Sequence, residues 1–262
     1  MRILCLADEE SKYLWDFYEP WKFDGIDLVL AAGDLKPEYL SFIVTLAHCP
    51  VLYVCGNHDH YDEFPPEGCI CIEDEIYEYK GVRILGLGGS MRYRQGPFQY
   101  TEQEMARRII RLAPKLYAKQ GFDILLTHAP AYELNDGEDI CHRGFFCFLG
   151  LLQTYKPKYF VHGHVHKTYG RKFKTVDHFG ETTVINAYER YIIEIEPDGR
   201  TEKERRKTPE FSYSDIYRPV LEKYRDFVDG QMEKIDPKNW MEKLNPDNWA
   251  DIWNPDKWDT KK

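Results

Sequence analysis

An α/β fold built on a parallel sheet is what this sequence predicts, and three observations predict it. Short apolar runs at residues 3–7, 27–32 and 51–57 alternate with helix-patterned segments at 11–18 and 38–47, the order that gives parallel pairing. The runs are nearly continuous in apolar character, as strands covered on both faces are. Each one stops at residues that carry chemistry: Asp8-Glu9-Glu10, Gly33-Asp34, and Gly56-Asn57-His58-Asp59. Open α/β sheets put their sites beyond the carboxyl ends of strands.

Taken in order, Ser11 is placed to cap a helix over 11–18, and Leu40, Ile43, Val44 and Ala47 give 38–47 helical spacing. Residues 60–80 read as a loop and an edge hairpin, broken at Pro65-Pro66-Glu67-Gly68. A strand at 82–87 closes on Gly88-Gly89-Ser90, and 101–119 is the clearest helix despite Pro114. A strand at 122–127 delivers His128. A polar loop at 132–144 and a helix at 145–155 precede a strand at 158–162 that delivers Gly163-His164-Val165-His166. Residues 182–186 and 191–196 complete the core as antiparallel strands.

Lysine and glutamate rise after Gly199, which places a domain boundary there: 1–200 as the main domain and 201–262 as an extension. The extension reads as a helix over 211–228, then three Asn/Asp-Pro-x-x-Trp repeats at a nine-residue spacing, ending at Trp240, Trp249 and Trp258. Each pairs a cap residue with a proline suited to the first helical turn. The indoles either pack on their own domain or form a homo-oligomer contact.

A net charge of −9 argues against a non-specific nucleic-acid surface. Arg92, Arg94, Arg107, Arg108 and Arg111 are the residues from which a local basic channel could be built, although arginines on a polar helix face are commonly just solvated. No run approaches the ~20 apolar residues of a membrane span. Seven cysteines, two of them (Cys5 and Cys55) inside apolar strands, read as reduced thiols in a cytoplasmic protein.

Five strand ends therefore present Asp8 and Glu10, Asp34, Asn57 and His58, His128, and His164 with His166. Carboxylates, an amide and imidazoles gathered at one sheet edge are the ligand types of a two-metal site. In this order the blocks resemble the calcineurin-like metallophosphoesterase superfamily, over roughly residues 1–200. The resemblance implies a four-layer αββα sandwich of two mixed sheets flanked by helices. It also implies two divalent ions, one held by Asp8, Glu10, Asp34 and His166, the other by Asp34, Asn57, His128 and His164. Asp34 would bridge them, a shared hydroxide would attack phosphorus, and His58 would protonate the leaving alkoxide. The activity expected is hydrolysis of a small phosphoester, a diester before a monoester, with no membrane or nucleic-acid partner.

Two departures matter. The superfamily usually has Asp-x-His at its first block, and here position 10 is glutamate, which favours harder ions: Mn²⁺ first, with Mg²⁺, Fe or Zn²⁺ as alternatives. The Asp-Arg-Gly of protein Ser/Thr phosphatases does not follow Gly33-Asp34. Arg92, His142 and Arg143 flank the motif strands and are the expected phosphate contacts. The alternative reading is a non-enzymatic scaffold on the same fold, which Glu10 and the tryptophan repeat favour and the retention of His58 opposes.

Overall fold

The computed structural model describes residues 1–61, 63–167 and 173–207. The chain divides into one unit at 1–223 and another at 224–262. The helix expected over 211–228 and the tryptophan repeats lie outside the described residues.

Two sheets form the centre. The first has the order β13 (Tyr191–Glu194), β1 (Arg2–Leu6), β2 (Leu28–Ala31), β3 (Val51–Tyr53) and β4 (Ile70–Cys71). Strands β1 to β4 run parallel, and β13 pairs antiparallel with β1. The second has the order β11 (Val176–Phe179), β12 (Thr182–Asn186), β10 (Tyr159–His162), β9 (Ile124–Thr127), β6 (Val82–Leu87) and β5 (Glu75–Tyr79). Its inner four strands are parallel and its two edges antiparallel. The expected antiparallel setting holds for 191–194, whereas β12 runs parallel to β10 and takes its antiparallel partner from β11.

Strand alternation sorts the core into layers. Ile3, Cys5, Leu28, Leu30, Leu52 and Val54 face Val82, Ile84, Ile124, Leu126, Val161 and Ile185 between the sheets. Leu4, Leu6, Val29, Ala31 and Val51 face outward instead, onto Tyr39, Leu40, Ile43 and Ala47 of α1 (Pro37–Ala47). On the far side α4 (Phe146–Tyr155) covers the second sheet, with the Phe148 and Phe160 rings 6.4 Å apart. Two mixed sheets with helices on both outer faces give the four-layer sandwich.

Three local expectations are corrected. Residues 12–17 form turns, not a helix, and Ser11 Oγ is drawn to Glu189 (2.9 Å) instead of capping. Lys22 Nζ takes the free carbonyls of Tyr13 and Phe17. The segment 101–119 is two helices, α2 (Glu102–Arg111) and α3 (Ala113–Lys119), broken where Pro114 cannot supply an N–H. Thr101 and Glu104 close a capping box on α2. At 201–207 the chain still packs on the main domain: in α5 (Glu202–Lys207), Arg205 is buried and pairs with Glu78 at 2.8 Å. Among the described residues no helix is long and apolar enough to cross a membrane.

Candidate metal centre

Every motif residue follows the carboxyl end of a parallel strand: Asp8 after β1, Asp34 after β2, Asn57 and His58 after β3, His128 after β9, and His164 and His166 after β10. The first sheet supplies the acids, the amide and His58, the second the other three imidazoles. The edges are joined directly, since both carboxylate oxygens of Asp8 lie 2.9 Å from the backbone N–H of His164. Close approach is what the motif glycines permit. A Cβ on Gly56 would lie 2.0 Å from Asp34 Oδ1, and one on Gly163 2.6 Å from Asp8 Oδ2. Asp8, Asp34 and His164 all have positive φ (66°, 56° and 70°). That conformation costs roughly 1–3 kcal/mol at each non-glycine residue, a strain that concentrates at functional sites.

One half of the site is built to expose unprotonated donors. His128 Nδ1 lies 2.8 Å from the Ala32 carbonyl, which can only accept, so this nitrogen carries the proton. Its Nε2 points the other way, 3.0 Å from Asn57 Oδ1, 3.1 Å from His164 Nδ1 and 3.3 Å from Asp34 Oδ2. His164 Nε2 donates to the Cys141 carbonyl at 2.6 Å, leaving its Nδ1 as a lone pair toward His128. Asn57 Nδ2 donates to the Tyr93 hydroxyl at 3.3 Å, which turns Oδ1 inward. Donor atoms of Asp34, His128 and His164 all lie within 4.8 Å of one another. Second partners on each imidazole are the usual support of a metal ligand.

Electrostatics agree with this geometry. Burial raises the cost of a charged Asp34, but His128 and the His58 N–H outweigh it and hold the carboxyl down to about 2. Burial disfavours a charged His128 as well, yet Asp34 beside it pushes the imidazole up to about 9. His164 is driven down to about 3 by burial and by the neighbouring His128 charge. In the chain alone one proton thus serves three acceptors that converge on a point. Two imidazole lone pairs, an amide oxygen and a carboxylate oxygen at that point fit a divalent cation.

The other half is arranged differently. Asp8 Oδ1 is 3.5 Å from His166 Nε2, and the His166 ring, about a third exposed, lies tilted 5.1 Å from that of Tyr188. Glu10 faces the Asp34 loop: its Oε1 accepts from Lys36 N–H at 3.2 Å and its Oε2 lies 3.5 Å from Lys36 Nζ. Glu10, Asp8 and His166 do not join the compact donor group among the described residues. His58 is exposed at the rim, its N–H donating to Asp34 Oδ1 at 2.8 Å.

Residues 1–168 match the profile of the calcineurin-like phosphoesterases. This chain belongs to that family. A relative, the UPF0046 protein C25E10.12 of Caenorhabditis elegans, is 26% identical over 252 residues, covering 78% of this chain and 84% of its own. The solved structure of TT1561 from Thermus thermophilus superposes with a TM-score of 0.50 at 17% identity, over 72% of this chain and 89% of the other. Another solved chain gives a TM-score of 0.52 at 15% identity, over 72% and 90%. These distant structures speak for the fold.

Within this phosphoesterase frame the remaining sequence expectations separate. Arg92 is tied to Glu104 at 2.8 Å and to the Gln99 carbonyl at 3.1 Å, so it secures the start of α2 and is not turned to the donors. His142 pairs with Asp139 at 2.8 Å, with its ring 5.3 Å from that of His164, and Arg143 sits half-buried by Asp136. Asp59 accepts from Gly56 N–H (2.7 Å) and Asp34 N–H (3.0 Å) and so shapes the loop; burial, then Asp34, raises its carboxyl to about 7. His162 is buried against Phe160, its Nδ1 3.0 Å from the Gly163 carbonyl.

Sequence reasoning missed three supports. Lys36 engages Glu10, and Tyr93 orients Asn57. Glu73 accepts from Cys55 N–H (2.7 Å) and Gly88 N–H (3.1 Å) and pairs with buried Arg108, fastening β3 to β6 beside the site. Arg108 is therefore structural, not solvated. The only sequence signal for Tyr93 was its loop, Gly89 to Tyr93, next to a motif strand.

Proposed function

We propose that this chain is a divalent-metal-dependent phosphoesterase that hydrolyses a small phosphodiester. The observation that carries this reading is the convergence of Asp34, Asn57, His128 and His164 beneath an exposed His58. Those four residues would hold one cation, and Asp8, Glu10 and His166, with Asp34 shared, a second. When bound, such ions supply Lewis-acid charge and a water acidic enough to attack phosphorus at neutral pH. The oxygen-rich second half favours Mn²⁺ over softer ions.

His58 provides the proton. Arg94 Nη2 lies 3.4 Å from His58 Nδ1, and a guanidinium can only donate, so Nδ1 accepts and the neutral ring carries its proton on Nε2. From the rim, the ring, once it has taken a second proton from solvent at Nδ1, would give Nε2–H to the departing alkoxide oxygen and return to neutral imidazole, a step worth roughly 10²–10⁴-fold. The backbone bond from His58 to Asp34 keeps the acid in register with the metal ligands. An acidic chain with no concentrated basic track suits a compact, cytoplasmic substrate better than a polynucleotide.

A second reading, a binding protein on the same fold, is favoured by one observation, the engagement of Glu10 by Lys36. Hydrolysis of bis-p-nitrophenyl phosphate and p-nitrophenyl phosphate after Mn²⁺ loading separates the two. Turnover that His58→Ala and Asn57→Ala both cripple is the expected result; no turnover with any divalent metal would overturn the enzyme reading. A preference for the bis ester is expected.

A further inference from the structure

The loop between β7 (Ser90–Met91) and β8 (Gln99–Tyr100) reaches the site with two neighbouring side chains. Tyr93 meets Asn57 and Arg94 meets His58. The loop is held by nearly buried Gln99, whose Oε1 accepts from Tyr93 N–H (3.4 Å) and Arg94 N–H (3.2 Å). The Arg94 guanidinium also lies 5.3 Å from the Tyr93 ring centre, which limits its swing.

What sets Arg94 apart is its contact with His58. Arg83, Arg92, Arg108 and Arg205 are each paired with a carboxylate. Arg94 is exposed and makes no ion pair among the described residues, and its side chain meets a neutral imidazole and an aromatic ring. In a chain of net charge −9, an unpaired guanidinium beside the acid is conspicuous. One of its five N–H groups is used on His58, and the others remain for a planar oxyanion. It touches the imidazole, not the donor cluster, so it stands on the leaving-group side.

We infer that Arg94 is a specificity-determining residue, which selects phosphoesters whose leaving alcohol carries its own anionic group, a carboxylate or a second phosphate. This inference rests on the phosphoesterase reading and adds a substrate class to it. Because a guanidinium binds such a group through two parallel N–H bonds, lysine would replace the charge but not the fork.

The test uses the full chain loaded with Mn²⁺ and two matched diesters, methyl 4-carboxyphenyl phosphate and methyl 4-(methoxycarbonyl)phenyl phosphate. Wild type should favour the carboxylate in kcat/KM. Arg94→Ala lowers turnover of both through the lost His58 contact, but the ratio between them should collapse by roughly 10- to 100-fold, the size of a hydrogen bond to a charged group. That extra loss should fall in KM, and Arg94→Lys should restore only part of the ratio. An unchanged ratio in Arg94→Ala overturns the assignment while leaving the phosphoesterase intact. Wild-type inactivity on both esters overturns the phosphoesterase reading itself and the assignment with it. Replacing the carboxylate by a phosphate on the same ring tells which anion is preferred.

Discussion

The two halves of the proposed metal centre, which would share Asp34, have the same strand-end placement, yet they are held in different ways. In the His128 half the neutral inward donors each have an outward partner: Ala32 carbonyl for His128, Cys141 carbonyl for His164, Tyr93 hydroxyl for Asn57. Buried and aimed, these atoms lose little freedom when an ion enters, so binding is preorganised. In the Asp8 half the acid at position 10 is engaged by a flexible, exposed lysine, and His166 is partly open to solvent. An exposed ion pair of this kind is worth only about 0–1 kcal/mol, so it can be displaced, but it must be displaced. Affinity and order of filling should therefore differ between the halves, the His128 half first.

The largest effect should come from the residue the halves share. Asp34→Ala is expected to reduce turnover to background and to empty both halves, read as metal per chain after dialysis. Retention of one full equivalent would show that the His128 half does not depend on it.

Acidity sharpens the contrast next. His128, raised to about 9 in the chain alone, must give up its proton to a cation. First-ion affinity should thus fall by up to about tenfold for each pH unit below 9, as expected when one proton is released on binding. Metal-free stability should run the opposite way. A raised imidazole stabilises the fold fully below about 6.5, and that contribution disappears as pH climbs through about 9. Calorimetric Mn²⁺ titrations at several pH values, with thermal melts of the stripped protein, test both slopes. A flat affinity profile would contradict the proton-for-metal exchange.

Freeing Glu10 is a smaller perturbation. Lys36→Ala should tighten the second ion by about tenfold, the scale on which outer partners tune metal ligands, with the first ion unaffected. No change would mean the lysine does not restrain that carboxylate. Smallest of all, Tyr93→Phe should weaken the first ion by about two- to tenfold, the value of one hydrogen bond. A loss confined to the second ion would contradict the orientation given to Asn57.

Much of the fold was legible because strand burial writes itself into composition. Residues 3–7, 28–31 and 84–87 are apolar on both faces, and the structure covers both faces of β1, β2 and β6. The segment 11–17 was not legible, since its helical spacing competes with a Ser11–Glu189 bond across 178 residues of chain. Pro114 did announce a break, which the continuous pattern of 101–119 masked.

The sequence by itself determined which atoms could bind metal: carboxylate, amide and imidazole at the ends of parallel strands, with glycines where a Cβ would collide. Those choices are local, because the chemistry of a side chain and the reach of a strand do not depend on the rest of the chain. Only the tertiary structure decided how each donor is supported. It set Lys36 on Glu10, Tyr93 on Asn57, and Arg94 on His58 with no carboxylate paired to it among the described residues. Such pairings join residues 26 to 36 positions apart through loops whose course is fixed by Gln99 and by the packing of two sheets. No period or propensity in the sequence encodes that course.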